Sequence, residues 1–268
     1  DWPAPPARLV ARFTVFSHLA WDPGHFRDYY APLQIELNHC QLLGSFGGYG
    51  MIGFYTNCLI DCCDFWQGTS ATWAQANFRN CTFRRGSFTI VHWEAGAPYW
   101  YSSIRECAFD GTPINIQAPF GYNLAYADYD YNAYTNLTNP FPSGYGANDV
   151  RGVSFNWQSG PLGNFYLPAT SPLIDAGSCT ADQVGLYHFT TQTNQVKETN
   201  SIVDIGYHYV ALDANGNPID TDGDGLPDYL EDVNGNGNGE DDPTSWLSYN
   251  SSNGLSPGNG LVVFTPLK

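Results

Sequence analysis

The side chains most able to do chemistry lie in one short run, Asp220-Thr221-Asp222-Gly223-Asp224-Gly225-Leu226-Pro227-Asp228-Tyr229-Leu230-Glu231. Carboxylates stand at positions 1, 3, 5, 9 and 12 of this run, and glycine stands at 6. Such spacing suits a hard, oxygen-seeking cation. Alternate residues of a tight loop point inward, the glycine permits the sharp turn, and the next residue offers its carbonyl. The expected calcium ligands are therefore Asp220, Asp222, Asp224, the Leu226 carbonyl, Asp228 and Glu231, the last placed by a helical turn over 227–231. Five carboxylates held this close repel one another unless a cation lies among them. A solvated acidic linker, the competing reading, leaves the completeness of the spacing unexplained.

A second run follows at once, from Asp232 through Asn234, Asn236, Asn238 and Glu240 to Asp241 and Asp242. Position 12 is Pro243, so Asp241 or Asp242 has to close it. The expected ligands of a second Ca2+ are Asp232, Asn234, Asn236, Asn238, Glu240 and Asp242. Asp213, Asn215 and Asn217 repeat the start of the spacing, but a simple turn accounts for them.

The elements that must carry these loops are read from the cysteines. Four segments align as apolar-x-x-Cys-x-apolar, centred on Cys40, Cys58, Cys81 and Cys107, with steps of 18, 23 and 26 residues. A period near 20 with a strand, a bend and another strand is the pattern of a solenoid, whose coils bury their apolar faces only by stacking. Asn57 and Asn80 occupy the bend, where a left-handed backbone is tolerated. The four cysteines are expected to form an unbridged inner stack, since parallel Cβ vectors are poor disulfide geometry. No CxxC pair occurs, which argues against a zinc site. The stretch from Arg8 to Phe16 also reads as strand.

Composition narrows the function classes. The 268-residue chain carries a net charge of −16 with only 10 Lys and Arg, so it lacks the basic face that nucleic acid requires. No apolar run is long enough to span a membrane. Charged residues make up 13% and aromatic residues 16%, with 28 glycines and 18 prolines, which excludes an all-helical protein.

The stretch Ser171-Pro172-Leu173-Ile174-Asp175-Ala176-Gly177-Ser178, followed by Val203-Asp204-Ile205-Gly206-Tyr207-His208-Tyr209, is similar to the closing coils of secreted bacterial right-handed parallel β-helix proteins. The acidic runs resemble thrombospondin type-3 calcium repeats. The first matches residue by residue and the second departs from the pattern at its end. The resemblance implies an all-β protein: a right-handed parallel β-helix of six or seven coils, a calcium-binding extension and a C-terminal strand.

The expected order is a Pro-rich arm (1–7), a β-helix (8–210) with a Tyr-rich insertion (111–150), acidic repeats (211–242) and a tail (243–268) with a strand at 261–265. The chain reads as a processed piece of a longer, extracellular protein. Its expected role is structural or adhesive, as a calcium-stabilised fibre or cell-surface subunit that polymerises head to tail. Glycans are candidate partners of the Tyr-rich region.

The alternative is a carbohydrate-active lyase or hydrolase, for which Asp61, Asp64, Arg84, Arg85, Glu94 and Arg105 are the candidate residues. Lyases of this shape use carboxylate-bound calcium with a Lys or Arg base, whereas the acids at 61 and 64 also suit a solvated corner. His92 reads as a packed residue rather than a base. No catalytic residue is assigned. Asn80, Asn136 and Asn250 match the glycosylation pattern.

Overall fold

The computed structural model describes residues 7–19, 26–27, 33–49, 51–69, 75–92, 101–117, 127–135, 141 and 144–249. These fall into two compact units. One holds the described residues up to Ser154 together with Ile205–Tyr207; the other holds Phe155–Asp204 and the described residues from His208 onward.

The first unit is a parallel β-solenoid. One sheet stacks six strands in chain order: Ala7–Arg12, Leu33–Asn38, Met51–Thr56, Gln75–Arg79, Tyr101–Arg105 and Ala127–Asp130. Every pairing is parallel and in step. The strand ends Arg12, Asn38, Thr56, Arg79, Arg105 and Asp130 form one row across all six. A second sheet runs beside it through Gln41–Tyr49, Leu59–Thr69, Thr82–Arg84, Ala108–Asp110, Ala133–Tyr134 and Val150–Arg151, among others.

Two residues turn each coil from the first sheet to the second. The first of each pair is left-handed: Phe13, His39, Asn57, Asn80, Glu106 and Tyr131 have φ of 49°, 56°, 50°, 50°, 52° and 59°. The bend expected at Asn57 and Asn80 is thus general, though Phe13, Glu106 and Tyr131 are not residue types that signal it. The second residue of the pair is Cys40, Cys58, Cys81 and Cys107 in successive coils. All four are fully buried and unbridged. Their thiols donate to main-chain carbonyls: Cys58 to Leu37 at 3.3 Å, Cys81 to Tyr55 at 3.4 Å and Cys107 to Arg105 at 3.2 Å. Burial pushes the Cys58 and Cys81 thiols far above the usual range, so they stay protonated and inert. In the next coil Asn132 takes the cysteine position. Its amide donates to the Ile104 carbonyl at 2.7 Å and its oxygen accepts from the Cys107 N–H at 2.9 Å.

Stacking in register also aligns aromatic rings. Tyr55 lies on Phe78 at 4.4 Å, Phe65 on Phe88 at 5.5 Å and Phe83 on Phe109 at 4.7 Å, the two rings of each pair nearly parallel. Each such side chain, fully buried, contributes about 1.5–3 kcal/mol. Tyr129, Tyr134 and Phe141 continue the column: Tyr129 stacks on Phe141 at 4.2 Å, and Tyr134 on Phe109 at 5.4 Å. These tyrosines of the expected insertion therefore fill the core. Tyr122 and Tyr126 lie outside the described residues, as do the arm at 1–6, Glu94, Asn136, Asn250 and the strand at 261–265. Asn80 is fully buried, which leaves it no access to a glycosylating enzyme in the folded protein.

The parallel stack reaches Val150–Arg151, whereas the sequence suggests coils as far as 210. In the second unit Gln158–Gly160 pairs antiparallel with Gly163–Tyr166, and Phe189–Thr190 with Tyr209–Val210. Pro168 and Pro172 have no N–H to give a ladder, and the segment between closes as a turn, the Ser171 N–H donating to the Pro168 carbonyl at 2.8 Å. The Asp175 N–H donates to Asp204 Oδ1 at 2.7 Å, and Thr191 donates its hydroxyl to Asp204 Oδ2. That contact ties the two motifs of the sequence to each other.

Candidate metal centre

The acidic runs belong to the second unit. Asp228–Glu231 forms a single helical turn that begins after Pro227, where the sequence places one. Glycines with left-handed backbone at 223 and 225 (φ 75° and 97°) fold the preceding residues into a tight loop. Carboxylate oxygens of Asp220, Asp222 and Asp224 converge to within 4.8 Å of one another. Asp220 also accepts the N–H groups of Gly223 and Gly225, at 2.8 and 3.0 Å, which fixes the loop's shape.

Glu231 is the informative group. It is 1% exposed, and neither of its oxygens accepts a hydrogen bond of normal geometry. Burial, with Asp224 and Asp222 close by, pushes its carboxyl up to about 7; only the Thr244 hydroxyl opposes the shift. Asp222 Oδ2 is likewise buried without a partner. A buried orphan carboxylate beside three converging acids costs stability unless a cation joins them. The donor set, all oxygen and at positions 1, 3, 5 and 12, fits Ca2+. Leu226 stands between them at position 7, and its N–H is held by Asp224 Oδ1 at 2.8 Å.

Asp228 is placed differently from its neighbours. It is fully buried; Oδ1 accepts the Thr221 N–H at 2.6 Å, and Oδ2 accepts the Thr221 hydroxyl at 2.7 Å and Lys197 Nζ at 3.4 Å. Its carboxylate is engaged in closing the loop from behind.

The second run adopts a similar winding. Asp232 Oδ1 accepts the Asn236 N–H at 3.1 Å, and Oδ2 the Gly237 N–H at 2.6 Å. Asn234, Asn236 and Asn238 each cap the N–H two residues on. Asp242 is 5% exposed, and burial beside Asp232 and Asp241 pushes it up to about 6. Asp241 is bound to the Asn236 amide at 2.8 Å, and the Glu240 side chain stands on an exposed residue. Asp242 is thus the acid drawn toward Asp232. The 213–217 segment closes on itself: Asp213 Oδ1 accepts the N–H groups of Asn215 and Asn217 at 2.8 and 2.9 Å.

Two residues that sequence reasoning passed over stand behind both runs. His188 Nε2 meets Asp232 Oδ2 at 2.9 Å, and Lys197 Nζ lies 3.4 Å from both Asp228 Oδ2 and His188 Nδ1. The signal available was the scarcity of lysine: Lys197 is one of two in the chain.

The described residues among the lyase candidates, Asp61, Asp64, Arg84, Arg85 and Arg105, are paired along the solenoid wall. Arg85 binds Asp61, Arg84 binds Asp110 at 3.2 Å, Arg105 binds Asp128 at 2.6 Å, and Asp64 accepts the Ser87 hydroxyl at 2.8 Å. Each bond joins adjacent coils.

Compared with protein-family models, curated proteins and solved structures, the chain matches none.

Proposed function

We propose that the protein is an extracellular structural or adhesive subunit whose acidic extension is stiffened by calcium. The observation that carries the calcium reading is Glu231: a buried carboxylate whose oxygens accept no hydrogen bond of normal geometry, next to Asp222 and Asp224. Asp220, Asp222, Asp224, the Leu226 carbonyl and Glu231 would hold the ion. Asp232, Asn234, Asn236 and Asp242 would hold a second, weaker one, having fewer charged ligands. Calcium would supply charge neutralisation and a rigid cross-link.

The structural role is supported by the solenoid wall, where Arg and Asp side chains bind coil to coil. Self-assembly is a further part of the reading. Ala7–Arg12 pairs on one side only among the described residues, with Val10 and Val15 exposed. An open parallel edge accepts another strand.

Isothermal titration with calcium, followed by sedimentation with and without calcium, tests both parts. Binding at or below millimolar concentration and polymer that depends on residues 243–268 are expected. A chain that shows no calcium heat and no thermal shift would overturn the first part. A monomer at every concentration in saturating calcium would overturn the second.

A further inference from the structure

The contacts behind the calcium runs form one continuous chain. It starts at Thr221 in the first run, passes to Asp228, then to Lys197 and His188, then to Asp232, and ends on the Asn236 and Gly237 amides of the second run. His188 is 2% exposed. Its Nε2 stands 2.9 Å from Asp232 Oδ2, and its Nδ1 lies 3.4 Å from Lys197 Nζ and 3.6 Å from Asp228 Oδ2. Trp246 packs edge-on to His188 at 5.0 Å. The Lys197 ammonium lies 5.2 Å from the Trp246 ring centre and 5.7 Å from that of Tyr187. The ammonium is therefore held by aromatic faces on one side and carboxylate on the other.

The acids of residues 228–232 are thus shared out. Asp228 faces Lys197, Glu231 faces the first run, and Asp232 faces His188 and the second run. A group that holds Glu231 fixes the same short turn that presents Asp228 and Asp232 to the clamp. The segment bearing the clamp is tied in by its main chain as well. The Tyr187 N–H donates to the Gly235 carbonyl, and the Thr199 N–H to the Tyr187 carbonyl, both at 3.1 Å.

We propose that Lys197 and His188 are positioning residues that couple calcium occupancy of the two runs to the order of residues 187–199. This rests on the calcium reading above and adds to it a route by which the ion acts beyond its own loops. Coupling is reciprocal: whatever calcium does to the segment, loosening the segment does to calcium binding.

The test uses the full chain, calcium chloride as the ligand, and hydrogen exchange read by mass spectrometry on peptides covering 187–199 and 220–242. In the unaltered protein calcium is expected to slow exchange of the Tyr187, Glu198 and Thr199 amides about tenfold. In Lys197→Met and His188→Gln, calcium should still slow exchange across 220–242 but change 187–199 by less than about twofold. Lys197→Arg, which keeps the cation, should restore most of the effect. A merely structural role would lower protection equally with and without calcium.

Unaltered protein that binds calcium with no change at 187–199 overturns the proposal and leaves the calcium reading standing. Protein that binds no calcium overturns both. Variants that keep the full calcium effect at 187–199 overturn the role of the clamp. Should both variants fail to fold, the unaltered protein's own calcium difference at 187–199 decides.

Discussion

Glu231 shows how one residue carries opposite effects in two conditions. Without a cation its buried charge faces Asp222 and Asp224, and with one it is a ligand. Glu231→Gln removes the repulsion and the ligand together. The variant is expected to melt at a higher temperature than the unaltered chain in chelator. It should also lose calcium affinity by about tenfold or more, roughly 1.4 kcal/mol. Paired melting curves with chelator and with calcium check this; a variant less stable in both would contradict it. The stacked thiols make a second residue-scale case. Cys81 fills the core and its thiol reaches the Tyr55 and Arg79 carbonyls at 3.4 and 3.3 Å. Cys81→Ala leaves a small void and two weakened acceptors, a loss of about 1–2 kcal/mol in denaturant titration. Cys40, Cys58, Cys81 and Cys107 should all react with a thiol reagent after unfolding without reductant, and none should react in the native state.

At the scale of elements, the closing segment of the second unit is held by a cluster of acids. Asp204, 1% exposed, binds the Asp175 N–H and the Thr191 hydroxyl. Glu198 accepts the Ser201 hydroxyl at 2.9 Å and lies 3.4 Å from His208 Nε2. Burial, and then the neighbouring Glu198 charge, push Asp204 from 3.8 up to about 7. Against the cost of its own burial, Glu198 is held below its usual value by hydrogen bonding to His208 and by the charge there. The signs differ. A carboxyl raised in the folded state binds its proton more tightly there, so Asp204 favours folding as pH falls from about 7 toward 4 and costs stability above 7. Glu198, depressed, contributes above its unfolded value of 4.5, and that contribution is lost as pH falls through its lower folded value. Stability of this unit should therefore be highest at about pH 4 to 4.5 and decline as pH rises toward 7. The Asp204 contribution is at most about 4 kcal/mol, because the rise from 3.8 to about 7 is worth about 1.4 kcal/mol for each pH unit it spans. Asp204→Asn should flatten the decline in stability between about pH 4 and 7; an unchanged slope there would exclude this origin.

For the whole molecule the dominant quantity is charge. The net −16 is uneven: residues 211–242 hold ten acids and no base. Two calcium ions would bring the total to −12 (−16 + 4), with the relief confined to the most crowded segment. Ligation of the folded state alone raises stability by about 2.7–4.1 kcal/mol at 100–1,000 times the dissociation constant. Thermal melts over a calcium series should show that rise, and magnesium, which demands a smaller octahedral cage, should give less. No helix among the described residues is long and apolar enough to cross a membrane.

The parallel solenoid was legible because a stack repeats its demands. Every coil needs an apolar residue, a bend and a small buried side chain at the same step, and the Cys40, Cys58, Cys81 and Cys107 segments print that step in the chain. The first acidic run was legible for a similar reason: its geometry is local, and local geometry is written as spacing. What the sequence hid is what comes from distant residues meeting. Phe13, Glu106 and Tyr131 take the same left-handed corner as Asn57 and Asn80 because the stack compels it, not because of their own preference. The end of the parallel ladder at Val150–Arg151 depends on which backbone groups find partners, which no single motif records. Asp204 beneath Asp175, and Lys197 with His188 behind Asp228 and Asp232, join residues 29, 31 and 44 positions apart. Burial decides those pairings, because a charge removed from water must find its partner wherever in the chain that partner lies.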